Sequence, residues 1–189
     1  GSSRAEDTVA GTHVALIRGI NVGRAKRIAM ADLRALVEDL GYRDVRTLLN
    51  SGNVVFTAPG AVRGAADARI EKAMVTRLGV AARVTILTAA ELASAVARNP
   101  LGKVAADPSR MLVAVLRKPG ERTRLAGLAR RDWAPEALAI GPRVAYLWCP
   151  AGALESPLWV AVGRALGDAV TTRNWSTMTK LHALATNMK

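Results

Sequence analysis

Two short breaks, Ser51-Gly52 and Gly141-Pro142, each split a pair of β-rich runs. Each pair stands at the same place in a longer order of elements, and that repeated order limits the fold more than any other feature. In the first half, the apolar run Thr12 to Arg18, ended by Gly19, reads as a buried strand. Met30, Leu33, Leu36, Val37 and Leu40 recur at helical spacing, and Gly41 supplies the stop. Runs 44–50 and 53–58 then flank Ser51-Gly52 as a hairpin. Ile70, Met74 and Leu78 predict a helix over 65–78 closed by Gly79, and a strand over 80–87 follows. Thr88 and Glu91 form a capping box for a helix over 89–98, stopped by Asn99-Pro100.

The second half runs through the same order. A strand over 110–117 precedes a short helix over 121–131. Runs 136–140 and 143–149 flank Gly141-Pro142 as a second hairpin. Ser156 caps a helix with Pro157 at its first position and Gly167 after its end. A strand over 168–173 leads into a last helix over 174–186. Each half therefore reads βαββαβ plus a trailing helix, the split-βαβ or ferredoxin-like order. The expected class is α+β, with two ferredoxin-like lobes in tandem. The first spans 10–98 with its trailing helix, a linker spans 99–109, and the second spans 110–189 with the C-terminal helix. Right-handed crossovers place strand one beside strand three in each lobe. The halves share element order and little residue identity.

A chain of 189 residues makes each lobe small for a domain, so each is expected to need the other for a full core. Half of the residues are hydrophobic and 22% are charged, which excludes disorder, collagen and a coiled coil as the main architecture. No apolar run approaches the roughly 18–20 residues of a membrane helix, and no membrane association is expected. The 21 Arg and 6 Lys against 15 acidic residues leave a net charge of +12. High-GC codon usage exchanges Lys for Arg but does not remove acids, so the surplus points to an anionic partner, nucleic acid among the candidates. Seven basic residues crowd 110–131 against one acid, Glu121, as a solvated face or an electrostatic track for phosphates. Gly1-Ser2-Ser3-Arg4 reads as an expression scar or a frayed end, with no signal-peptide apolar region after it, and a cytoplasmic location is expected.

One cysteine, Cys149, excludes an internal disulfide and a cysteine-based metal site, and its apolar neighbours predict a buried small hydrophobe. His13 and His182 alone cannot close a metal site, so neither metal nor cofactor is expected.

Three clusters look unlike packing. The first is Arg18-Gly19-Ile20-Asn21-Val22-Gly23, followed by Arg24, Lys26 and Arg27, a strand-to-helix loop able to offer backbone amides to an anion. It lacks the glycine spacing and the Lys-Ser/Thr ending of a P-loop. The second is Asn50-Ser51-Gly52-Asn53, which also serves as hairpin chemistry. In a ferredoxin-like half the end of strand one and this hairpin share one sheet edge, so Arg18, Asn21, Gly23, Ser51 and Asn53 are expected to converge there. The third runs from Thr171 to Lys180: Asn174 as N-cap, Trp175, Met178 and Leu181 as core, and Arg173, Thr177 and Lys180 as exposed candidates. The candidate ligand-binding set is thus Arg18, Asn21, Gly23, Ser51, Asn53, Arg173, Asn174, Thr177 and Lys180.

The stretches Val14 to Gly23, Met30-Ala31-Asp32-Leu33-Arg34, Asn50 to Phe56 and Thr172 to Thr177 resemble the bacterial "domain of unknown function 1697" family over about residues 12–185. The resemblance implies a two-lobed α+β fold and no assigned activity. Gly23-Arg24-Ala25-Lys26-Arg27 has one glycine fewer and more charge than the family's loop, and Ser156-Pro157-Leu158 lacks a lysine the family tends to carry there.

No catalytic constellation emerges: there is no Gly-x-Ser-x-Gly elbow, and His182 has no acid partner at the sequence level. Tyr146 and Trp148 share one strand face, either as core or as a stacking surface of the kind RNA-recognition folds use, and core is favoured. The leading expectation is a non-enzymatic binding protein for an anionic or phosphate-bearing partner. The alternative is a small-ligand enzyme or sensor with its site in the cleft between the lobes.

Overall fold

The computed structural model describes residues 10–23, 27–60, 64–104 and 106–188. Arg24, Ala25, Lys26 and the N-terminal Gly1-Ser2-Ser3-Arg4 lie outside them. The chain is a mixed α+β protein with two four-stranded antiparallel sheets.

The elements of the first half are β1 (Gly11–Ile17), α1 (Met30–Asp39), β2 (Arg43–Leu48), β3 (Asn53–Ala58), α2 (Ala66–Ala73) and β4 (Val84–Thr88). The second half contains α3 (Ala89–Ala97), β5 (Met111–Leu116), α4 (Ala126–Ala129), β6 (Ala137–Ile140), β7 (Val144–Trp148), α5 (Pro157–Leu166), β8 (Val170–Asn174) and α6 (Trp175–Thr186). The first sheet has the order β2-β3-β1-β4 and the second β6-β7-β5-β8. Strand one lies beside strand three in both, the arrangement expected from the sequence.

The two sheets also match bond by bond at the end of their first strand. The Ile17 amide donates to the Gly52 carbonyl at 2.8 Å, and the Leu116 amide donates to the Arg143 carbonyl at 2.8 Å. The next amides, Arg18 and Arg117, donate to the Arg83 and Ala169 carbonyls, each at 2.9 Å. Arg18 and Arg117 are therefore equivalent positions of one repeated backbone arrangement.

Burial follows the strand and helix periods. In the first half Ala15, Ile17, Val54 and Phe56 meet Leu33, Leu36 and Val37 of α1 and Ile70 of α2 in one cluster. In the second, Leu112, Ala114, Leu116, Ala145 and Leu147 meet Leu158, Val162 and Leu166 of α5. At about 25 cal/mol per Å² of apolar surface, each fully buried Leu or Phe stabilises by roughly 1.5–3 kcal/mol.

Three elements differ from the sequence expectation. The helix expected over 65–78 is α-helical only to Ala73 and continues as a π-helical turn, Met74–Leu78. There the Thr76 hydroxyl donates to the Lys72 carbonyl at 3.1 Å, competing with the backbone ladder. The next strand starts at Val84, not at 80, where its amide is fixed by the Glu71 carboxylate at 2.9 Å. The helix expected over 121–131 is a 3-10 segment, Pro119–Leu125, followed by the single turn α4. Pro119, Gly120 and Gly127 weaken a regular helix across that stretch.

The compact units divide the chain earlier than the expected linker. Ala90–His182 form one unit, and the described residues before Ala90 and after His182 form the other. Two contacts hold α3 in the second unit: the Tyr146 hydroxyl donates to the Ala95 carbonyl at 2.6 Å, and Arg143 pairs with Glu91 at 2.6 Å.

Candidate functional site

The first unit brings the first two sequence clusters to one sheet edge. β1 ends against the β2–β3 hairpin through the Leu16–Asn53 pair and the Ile17–Gly52 bond. Asn21 ties the loop after β1 to both neighbours. Its side-chain amide donates to the Ile28 carbonyl at 2.9 Å and to the Asn50 carbonyl at 2.8 Å, and its Oδ1 accepts from the Ile28 amide at 2.6 Å. The Arg27 guanidinium donates to the Asn21 carbonyl at 2.5 Å. Asn53 is fully buried, and its amide donates to the Leu48 carbonyl at 2.7 Å and to the Ser51 hydroxyl oxygen at 2.9 Å.

Asn21, Ser51 and Asn53 are tied together at this edge by these bonds, Arg18 follows directly on β1, and Gly23 lies further along the loop. Asn21 and Asn53, however, spend their side chains on the chain's own backbone, which makes them positioning residues. Arg18, Gly23 and Arg27 are the exposed members.

The third cluster lies at the β8–α6 junction of the second unit. Asn174 caps α6, its Oδ1 accepting from the Thr177 amide at 2.8 Å. Thr177, expected to be exposed, is 6% exposed, because it shares the inner face of α6 with Met178, Leu181 and Ala185. Lys180 is exposed. Arg173 pairs with Val113 in the sheet, its guanidinium donates to the Thr172 carbonyl at 2.9 Å, and burial pushes its pKa down to about 10. It is still a cation at neutral pH.

Tyr146 and Trp148 are buried, so neither offers a stacking face for bases. Cys149 is buried as well. Burial pushes its thiol pKa up to about 11, the Ser156 hydroxyl opposes the rise and the Glu136 carboxylate adds to it. A group with that pKa is a poor nucleophile at neutral pH. The Ser156 hydroxyl donates to Glu136 and accepts from the Trp159 amide at 2.9 Å, which is helix capping rather than activation. Among the described residues no group of three His, Cys, Asp or Glu is placed to hold a metal ion, and no helix is long and apolar enough to cross a membrane.

Sequence reasoning missed a cavity of about 320 Å³ inside the second unit, between α3 and the β6–β7 hairpin. From α3 and the residue after it, it is lined by Glu91, Ser94, Ala95 and Arg98, and from the hairpin by Ile140, Pro142 and Val144 among others. The i, i+3, i+4, i+7 spacing of the α3 set was a legible signal of one helix face, but nothing local names the hairpin as its partner.

A family model for proteins of unknown function, DUF1697, matches residues 11–146. The chain belongs to the DUF1697 family. Among solved structures, this DUF1697 chain is similar to conserved bacterial protein SP0830 from Streptococcus pneumoniae, at 20% identity and a TM-score of 0.69. The likeness covers 95% of this chain and 100% of that one, and it concerns the fold alone. Among curated proteins no relative matches this DUF1697 chain.

Proposed function

We propose that this DUF1697 protein is a non-enzymatic binding protein for an anionic, phosphate-bearing partner, held at the sheet edge where the loop after β1 meets the β2–β3 hairpin. The observation that carries the reading is the triple anchoring of Asn21. It sets the loop before any ligand arrives, so little ordering entropy is lost on binding. Exposed Arg18 and Arg27 supply charge at that preset edge, and guanidinium groups match phosphate geometry well.

We read each unit as ferredoxin-like, a reading supported by the antiparallel orders β2-β3-β1-β4 and β6-β7-β5-β8 with one helical connection before and one after each hairpin. On that scaffold the first-strand loop and the hairpin are neighbours by topology. The net charge of +12 favours a polyanion over a neutral metabolite.

Fluorescence anisotropy with a single-stranded oligothymidylate of about 12 nucleotides tests the proposal. Binding is expected at about 50 mM salt and falls steeply by about 200 mM. Absence of binding at about 50 mM overturns it, and so does an affinity that ignores salt.

A further inference from the structure

We propose that the cavity between α3 and the β6–β7 hairpin is a second, separate binding site, for a small monocarboxylate with an apolar body. Its walls, Ala95, Ile140, Pro142 and Val144, are apolar. Its volume of about 320 Å³ lies at the lower end of the roughly 300–1,000 Å³ of small-molecule pockets. Apolar walls with few polar groups are the usual composition of such sites.

The polar groups define the ligand's charge. Arg143 is committed: it pairs with Glu91 at 2.6 Å and also donates to the Leu116 carbonyl at 2.9 Å and the Arg117 carbonyl at 3.2 Å. The Arg143–Glu91 pair is neutral overall. Arg98 also lines the cavity, and its guanidinium has no hydrogen-bond or ion-pair partner among the described residues. The Ser94 hydroxyl, one turn earlier on the same face of α3, has none either. One uncommitted cation and one hydroxyl fit a single carboxylate, which a guanidinium binds through two parallel hydrogen bonds. The Glu91 carboxylate opposes a dianion. Arg98 is also close enough to Tyr146 to draw its phenol pKa down against the rise that burial causes.

Benzoate is the probe, with benzyl alcohol as its neutral analogue and phenyl phosphate as the dianion, all measured by titration calorimetry on the whole chain. Benzoate is expected to bind saturably, about tenfold more tightly than benzyl alcohol and at least as tightly as phenyl phosphate. Arg98→Ala, an exposed change, is expected to weaken benzoate about tenfold without moving the melting temperature. Ser94→Phe places a ring in the cavity and is expected to abolish binding. If Ser94→Phe lowers the melting temperature, Arg98→Ala decides alone. No saturable benzoate binding up to about 10 mM overturns the site, as does full benzoate affinity in Arg98→Ala. Phenyl phosphate binding tenfold more tightly than benzoate overturns the ligand class.

Discussion

Asn21 has φ at +55°, a left-handed conformation that asparagine tolerates better than other side chains with a Cβ. Its side chain then joins three backbone groups on two segments. Asn21→Gly keeps the backbone conformation accessible and removes the bonds. It is expected to lower stability by roughly 1–3 kcal/mol, read from the urea midpoint, because the two part-buried bonds to Ile28 contribute about 1 kcal/mol each and the exposed one to Asn50 less. An unchanged midpoint would mean that the loop is held by other groups. Two glycines beside it separate strain from collision. A Cβ on Gly52 would stand 2.8 Å from Ile17 Cβ and 2.8 Å from Ile20 Cδ1, at φ +90°. Gly23 is also left-handed, at φ +54°, but a Cβ there meets nothing within 4 Å. Gly52→Ala is therefore expected to cost about 2–4 kcal/mol and Gly23→Ala about 1–2 kcal/mol. Equal costs in denaturant unfolding would refute the packing account of Gly52. The letters Asn50-Ser51-Gly52-Asn53 were legible as a hairpin. That Asn53 points its donors at Leu48 and Ser51 was not, because an amide facing a ligand and one facing its own backbone are the same letter.

At the scale of elements, the start of α5 shows how far local signals reach. Ser156, Pro157 and Gly167 marked its ends in the sequence, and the helix runs Pro157–Leu166. The Glu136 carboxylate, which accepts from the Leu158 amide at 3.1 Å, comes from a segment 22 residues away and carried no local mark. The π-helical turn after α2 was illegible for a related reason: apolar spacing reports which face is buried, and Ile70 and Met74 are buried either way. Cys149 lies beside this cap, its Sγ 3.4 Å from Ser156 Oγ. Its raised pKa sets the sign of a pH effect. Below about 8.5 the thiol is protonated in both folded and unfolded chains. Above that the unfolded chain releases the proton while the folded chain holds it up to about 11. Stability is thus full at pH 8 and falls as pH rises through this window. Arg173, with its pKa pushed down to about 10, acts in the opposite direction above that pH. Urea unfolding at about pH 8 and about pH 9.5 is expected to show a smaller loss for Cys149→Ala than for the parent chain. An identical loss in both would remove Cys149 from the account.

The repeat is the property of the whole molecule that the sequence carried best, since element order survives where residue identity does not. The boundary between units was hidden, because Glu91–Arg143 and Ala95–Tyr146 join residues about fifty positions apart and α3 follows β4 without a break. Charge is distributed evenly over the repeat. In the sequence, stretches 1–89 and 183–189 together hold 14 basic against 8 acidic residues and stretch 90–182 holds 13 against 7, six net positive charges each. Arg18 and Arg117 occupy the matching backbone positions, each donating its amide to the connection before the last strand of its sheet. A general positive field and a built phosphate edge make different predictions from these facts. If charge alone attracts the oligonucleotide, Arg18→Ala and Arg117→Ala weaken it equally, because each removes one of the same number of charges. If the anchored loop of the first unit is the binding edge, Arg18→Ala lowers the salt-dependence slope by about 0.7, the share of one phosphate on a single strand, and Arg117→Ala leaves it nearly unchanged. The second outcome is expected, since Asn21 anchors the loop after β1 to two segments, whereas after β5 Pro119 starts a 3-10 segment directly. Equal slopes for the two variants would assign the +12 to the surface as a whole and leave the edge after β1 without a special role.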